Sequence, residues 1–347
     1  TRDSAARMIW NALQAYEVEY KTTLTTDSKG QLTSQITVQD KVVGSNNDKI
    51  TLLEDKYEAW TDVGTLSNID GEKLTITMNA ADVSASDYVN KDKNDKATIG
   101  DVTFSDLDQD YSALLGQKVK VLFKNGKTND VIGVYATSDN TIYKTLMNNV
   151  ELDGQKIKFD GKSYSIDEAT TNGKNIKVIT DGSTAVNTAI DPTFKDTAAN
   201  KVSMNEVTFI DSDDNGKIDT AIITTKTSAK VTYASSSEIV AGDTYKAADE
   251  NIAEGFAKDD YAVVSKNLYK DNKDVVKADV LNDTINGFKT KTGYVQYKIG
   301  STWYNAAKAF SDVDTGDKVK AYVVNGVVLD ISSDDSNGAL PTVAVVT

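Results

Sequence analysis

Lys318-Val319-Lys320-Ala321-Tyr322-Val323-Val324 runs straight into Asn325-Gly326. Lysines alternate with apolar residues at its start, the period of two of a strand with one face in water and the other in a core. Asn-Gly readily takes two successive positive φ angles, which a two-residue hairpin requires. The stretch therefore predicts a strand that folds back on itself. The same pattern recurs at Lys73 to Met78, Lys118 to Phe123, Lys156 to Phe159 and Lys174 to Ile179. Turn pairs bound these runs at Asp70-Gly71, Asn125-Gly126, Asp153-Gly154, Asp160-Gly161 and Asn172-Gly173. Many short strands joined by hairpins predict a mainly β chain of tandem antiparallel β-sandwich or barrel modules rather than a parallel α/β sheet.

Helix signals are few. Residues 1–16 offer Thr1 as N-cap, Asp3 in the first turn, and Ala5, Ile9, Ala12, Leu13 and Tyr16 at helical spacing. A second short helix is expected from Thr51 to Trp60, with Leu52, Leu53 and Tyr57 inward. A weak internal repeat links two distant segments. Phe104-Ser105-Asp106-Leu107-Asp108 leads to Gly116-Gln117-Lys118-Val119-Lys120, and Phe310-Ser311-Asp312-Val313-Asp314 leads to Gly316-Asp317-Lys318-Val319-Lys320. Two modules of related design are expected from it. The expected organisation is a helical segment at 1–20, β modules at 21–140, 141–230 and 231–333, and a tail at 334–347 that ends in a β-prone run. The chain opens on Thr1-Arg2-Asp3 without Met and reads as a piece of a longer, processed or truncated protein.

Composition narrows the chemistry. Lys and Arg number 38 against 52 Asp and Glu, a net charge of −14 that makes nucleic acid and bare anionic membrane poor partners. The apolar runs are too short to span a bilayer. Cys and His are both absent, so disulfides, thiolate nucleophiles, Ser-His-Asp arrangements and ordinary zinc sites are excluded. Any metal must be held by oxygen, which puts calcium or magnesium first.

The sharpest motif is Asp211-Ser212-Asp213-Asp214-Asn215-Gly216-Lys217-Ile218-Asp219. Asp211, Asp213 and Asn215 alternate, Gly216 permits the sharp turn, Lys217 offers its carbonyl, and Asp219 adds a carboxylate. These are the first nine positions of an EF-hand-type loop. Its twelfth position is Ile222 rather than Glu, and the flanks read as strands, so the expectation is a calcium-binding β-hairpin weaker than a sensor EF-hand; the alternative is an acidic solvated turn. The carboxylates at 106, 108 and 110 and at 312 and 314 lack the glycine and read as solvated turns. No glycosidase pair stands out from the many carboxylates. Trp10, Trp60 and Trp303 are isolated and read as packing residues.

Thr1-Arg2, Asp3, Ala5-Ala6 and Asn11-Ala12-Leu13 match the end of an S-layer homology repeat, so Thr1 to Tyr20 resembles the last such repeat of Gram-positive surface proteins. Leu52 to Tyr57 and Phe209 to Asp219 are similar to segments that follow these repeats in S-layer-type proteins of clostridia-like bacteria. The resemblance implies an extracellular location and an anchor of three repeats for cell-wall polysaccharide. It also implies a glycan contact for Arg2 and an outward-facing region that assembles a lattice. The expected function is therefore a structural, non-enzymatic, self-assembling subunit of a cell-surface layer, stabilised by calcium, with copies of itself as partners. The alternative is a wall-anchored adhesin or carbohydrate-binding surface protein.

Overall fold

The computed structural model describes residues 2–26, 30–43, 48–86, 99–124, 126–167, 175–183 and 186–333. Thr1, Lys174, the pair 172–173, Asn125 and the tail at 334–347 lie outside the described residues. The chain is mainly β, with several antiparallel sheets. It divides into two compact units, one comprising Thr1–Gly64, Ile76–Asp108 and Val119–Tyr135, the other Thr65–Thr75, Gln109–Lys118 and Ala136–Thr347.

In the first unit the helix Arg2–Leu13 packs Trp10 and Leu13 against Leu53, Ala59 and Leu122. The Trp10 ring meets Tyr135 edge-on, with centroids 5.0 Å apart. Ile9 and Tyr16, expected inward, are 62% and 59% exposed. At 100° per residue the packed face is set by Trp10 and Leu13, three positions apart, and the larger indole surface decides it. The second helix, Leu52–Tyr57, is shorter than expected. Thr51 and Glu54 form a capping box, the Glu54 N–H donating to Thr51 Oγ1 at 3.2 Å and the Thr51 N–H to Glu54 Oε2 at 2.8 Å. Glu58 takes φ 53° and ends the helix, so Trp60 falls in the next strand and Tyr57 stays exposed rather than inward. A hairpin of Val18–Thr26 and Leu32–Asp40 pairs through nine residues without a bulge.

The internal repeat has a structural counterpart. Ala59–Asp70, Lys73–Met78, Gly100–Phe104, Lys118–Lys124 and Val131–Ala136 form a sheet in the spatial order third, second, first, fourth, fifth. Asp279–Lys291, Tyr294–Ile299, Thr302–Ala306, Lys318–Val324 and Val327–Ser333 take the same order, and the third strand also meets the fifth, which closes a barrel. Strand lengths are 12, 6, 5, 7 and 6 residues in the sheet and 13, 6, 5, 7 and 7 in the barrel. In both, the long first strand serves two neighbours, and the residues just before the fourth strand exchange a pair of main-chain bonds with it. Gly116 N–H donates to Leu66 O at 2.8 Å and Leu66 N–H to Gln117 O at 2.9 Å; Gly316 N–H donates to Ile285 O at 2.8 Å and Ile285 N–H to Asp317 O at 2.9 Å. Leu107 and Val313, at matching places in the repeat, are both buried.

Lys318–Val324 turns at Asn325 and Gly326, with φ 48° and 78°, and pairs with Val327–Ser333. Between the repeats, Thr141–Leu146, Glu206–Asp211, Thr220–Thr224, Asn175–Thr180 and Val186–Ala189 form a five-stranded sheet in that order. Its third and fourth strands run parallel, a departure from the expected antiparallel pairing that the crossover through residues 181–219 makes possible. Phe159, Phe194 and Phe209 fill its core with Ile157, Ile176 and Ile218. Residues 227–277 add two small sheets around Val231, Ile239 and Val275. Within the second unit Asn325 locks the barrel turn in place. Its Nδ2 donates to Met204 O at 2.6 Å, and its carbonyl accepts from Asn148 Nδ2 at 2.8 Å. Trp303, read as a packing residue, is 36% exposed and carries Lys289 Nζ 3.9 Å from its ring centroid. Among the described residues no helix is long and apolar enough to cross a membrane.

The two glycines of the repeat should respond differently to a methyl group. Gly116 has φ 80°, and a Cβ there would lie 2.8 Å from the Cδ1 atoms of Ile210 and Ile222. Gly316 has φ 105° and open space around it. Gly316→Ala should cost the backbone term alone, about 1–2 kcal/mol, and Gly116→Ala should add overpacking of about 1–3 kcal/mol. Urea unfolding of the two variants checks the order; equal losses would refute it.

Candidate metal centre

The site grows from one β-hairpin. Glu206–Asp211 and Thr220–Thr224 are antiparallel neighbours in register, Phe209 opposite Ala221 and Ile210 opposite Thr220. Alternation sends Val207, Phe209, Ala221 and Ile223 into the core. Asp211 closes the first strand and is 2% exposed, held against the sheet by its register opposite Thr141. The loop from Ser212 to Asp219 must reverse the chain within eight residues, and Asp214 at φ 56° and Gly216 at φ 81° supply the left-handed positions.

That reversal brings carboxylates together. Oxygens of Asp211, Asp213 and Asp219 all lie within 4.8 Å of one another. Main-chain donors hold them: Gly216 N–H reaches Asp211 Oδ2 at 2.8 Å, Asn215 N–H reaches Asp211 Oδ1 at 3.2 Å and Asp213 Oδ1 at 3.3 Å. Ser212 gives both its N–H and its hydroxyl to Asp219 Oδ2 at 2.7 Å, and Thr220 Oγ1 donates to Asp219 Oδ1 at 2.6 Å.

Of the residues singled out in the sequence, Asp211, Asp213 and Asp219 converge. Asn215 lies in the same loop, tied to its neighbours by its side chain. Its Oδ1 accepts from the Lys217 N–H at 2.9 Å, and its Nδ2 donates to Asp213 Oδ2 at 3.1 Å. The Lys217 ammonium points to Asp167, 3.3 Å from Oδ1. Arg2 is exposed in the first turn of the N-terminal helix.

Asp167 is the residue that spacing did not reveal. A parallel bridge sets Ile166 beside Ile218, with Asp167 N–H donating to Ile218 O at 2.8 Å and Ile218 N–H to Ser165 O at 2.9 Å. This places Asp167 Oδ2 3.3 Å from Asn215 Nδ2, so a fourth carboxylate flanks the loop. The signal in the chain was faint: Tyr164 and Ile166 alternate with polar neighbours, but nothing local says which strand they join.

The electrostatics follow from the crowding. Asp213 is exposed on its outer side, yet its carboxyl lies above the usual range. Partial desolvation is the main cause; the neighbouring Asp211 carboxyl and the charge of Asp219 add to it, against the Asn215 N–H. Burial raises the Tyr143 phenol, and Tyr164, Asp211 and Asp214 add to the shift. Burial leads in both shifts, and the neighbouring acidic groups add a smaller repulsion that a bound cation would relieve. Such a set of hard oxygens suits calcium, which accepts irregular geometry, better than magnesium.

The raised Asp213 carboxyl sets the sign of a pH test. A folded-state value above the unfolded one means that this group favours the fold when protonated and costs stability as pH rises through the shifted range. In chelator at pH 7, Asp213→Asn should therefore raise the melting midpoint, by less than about 1 kcal/mol because the group is exposed and screened. The gain should vanish as pH falls below the carboxylate range. An unchanged difference across that range, followed by thermal melts, would contradict the reading. In comparison with known proteins, the chain matches no family model, no curated protein and no solved structure, so the reading of the site rests on its own residues.

Proposed function

We propose that this chain is a structural subunit of an extracellular bacterial surface layer, self-associating and stiffened by calcium at the hairpin of Asp211, Asp213 and Asp219. The observation that supports it is the convergence of those three carboxylates within 4.8 Å at the end of a strand pair whose inner residues belong to one core. A divalent ion there would cross-link the two ends of a loop, the Asp211 end and the Asp219 end, and resist their separation. Asp167 extends the same clamp to the neighbouring chain segment. The role is read as mechanical rather than catalytic because the sequence has no His or Cys and its acidic groups hold turns. The resemblance of the first twenty residues to an S-layer homology repeat is the basis for the cell-wall location, the polysaccharide anchor and the glycan contact of Arg2.

Calcium should stabilise the folded chain through mass action, by about 2.7 kcal/mol when the free ion is at a hundred times its dissociation constant. Asp211→Ala should lower that gain sharply, since it removes the buried member of the set. Thermal melts of both proteins in calcium and in chelator provide the check, and equal calcium responses in the two proteins, or none at all, would overturn the site. Negative-stain electron microscopy of the chain with calcium tests the layer reading separately: ordered sheets or filaments are expected, and dispersed particles at high protein concentration would count against it.

A further inference from the structure

The hairpin of Val18–Thr26 and Leu32–Asp40 has an apolar face with nothing on it among the described residues. Its register places Tyr20 opposite Val38 and Thr22 opposite Ile36. Period two then puts Val18, Tyr20, Leu24, Leu32, Ile36 and Val38 on one face, while Glu19, Lys21, Thr23, Thr25, Thr33, Gln35, Thr37 and Gln39 occupy the other. Those six apolar residues are 53%, 74%, 69%, 74%, 66% and 60% exposed. Thr22, Ser34 and Asp40 share that face, yet every apolar side chain of the ribbon lies on it, the pattern of a covered face. A two-stranded ribbon with both faces in water is marginal alone. Among the described residues its sheet has only two strands, so no further strand pairs with either outer edge of the ribbon. The usual protections of an open edge, a bulge, a proline or an inward charge, are missing along the nine pairs; the one charge on the apolar side is Asp40 at its end.

We propose that this face is an interface between two copies of the chain, packed apolar face to apolar face about a two-fold axis; the proposal rests on the self-association put forward above and assigns it a surface. Area and charge select a second copy as the occupant. The six residues expose on the order of 700 Å² per copy, so a face-to-face pair buries at most about 1,400 Å², which reaches the lower part of the range of specific interfaces. Subunits carrying −14 each repel over most of their surface, and they can approach where charge is absent. An isologous contact needs a self-complementary patch, and a flat face of aliphatic side chains with a tyrosine meets that need. Threonine 22 and Ile36 form the middle pair of the five on this face, so they sit nearest the axis.

Sedimentation of the full chain with and without calcium, for wild type and for Ile36→Asp, tests the interface. Wild type should dimerise and Ile36→Asp should weaken that association about tenfold or more. Because the chain has no Cys, single-cysteine variants give a second test that leaves the hairpin's character intact. Thr22→Cys on the apolar face should form an intermolecular disulfide under mild oxidant, and Thr23→Cys on the polar face should not. Undiminished association of Ile36→Asp, or equal cross-linking of both cysteine variants, would overturn this interface while leaving self-association to another surface. Monomers throughout would overturn the interface and the layer reading together.

Discussion

The architecture depends on a strand that must satisfy hydrogen bonds along both edges. A 12- or 13-residue first strand is too long for a single short partner. Its two ends serve two neighbours, the second strand through a hairpin and the fourth through a long return. At the crossing, a glycine with positive φ lets the chain turn onto the strand and exchange a pair of main-chain bonds with it, at Gly116 and Leu66 and again at Gly316 and Ile285. Buried backbone groups left unpaired there would be costly, so the crossing is fixed twice in the same way. What differs is the far edge. In the second instance the third and fifth strands meet at Asn305 and Val327 and the sheet closes. Closure removes two edges that would otherwise need protection.

The carboxylate loop depends on the sheet between these repeats. Register places Asp211 at the last paired position of its strand, and core packing by Phe209 and Ala221 prevents that strand from sliding by one residue. Three acidic side chains are then held closer than their charges prefer, by N–H and hydroxyl donors of the loop itself. Partial desolvation raises the Asp213 carboxyl, and the Asp211 and Asp219 carboxyls beside it add to the shift. A bound divalent ion and protonation would relieve the same repulsion, which is why calcium and acid are expected to compete there.

Exposed apolar residues are concentrated in the early part of the chain. Met8, Ile9 and Tyr16 join the hairpin residues, whereas the barrel shows little beyond Val280, Phe288 and Trp303. The packed cores of the second unit are self-contained in this sense: Asn148, Asn305 and Asn325 join its parts by hydrogen bonds to main-chain carbonyls, with Tyr261 and Tyr322 in contact beside them. A charge of −14 spread over such surfaces favours separation of copies, so any association must rely on neutral patches or on cations.

Much of the local structure was legible in the residues. Alternation located the strands at Lys73–Met78, Lys118–Lys124 and Lys318–Val324, because burial on one face writes a period of two directly into the sequence. Asn325-Gly326 announced its turn, and Asp211, Asp213 and Asp219 announced their convergence, because both depend on φ preferences and spacing within a few residues. The inward face of the first helix was misjudged at Ile9 and Tyr16, since periodicity shows that a helix has a face and its partners decide where that face points. The shared strand order of sheet and barrel, the parallel pair of Asn175–Thr180 with Thr220–Thr224, and the arrival of Asp167 beside the loop were decided by tertiary structure alone. Each joins residues tens of positions apart, and main-chain hydrogen bonding, which does this joining, is blind to side-chain identity; no local pattern can specify which strand a given strand will meet.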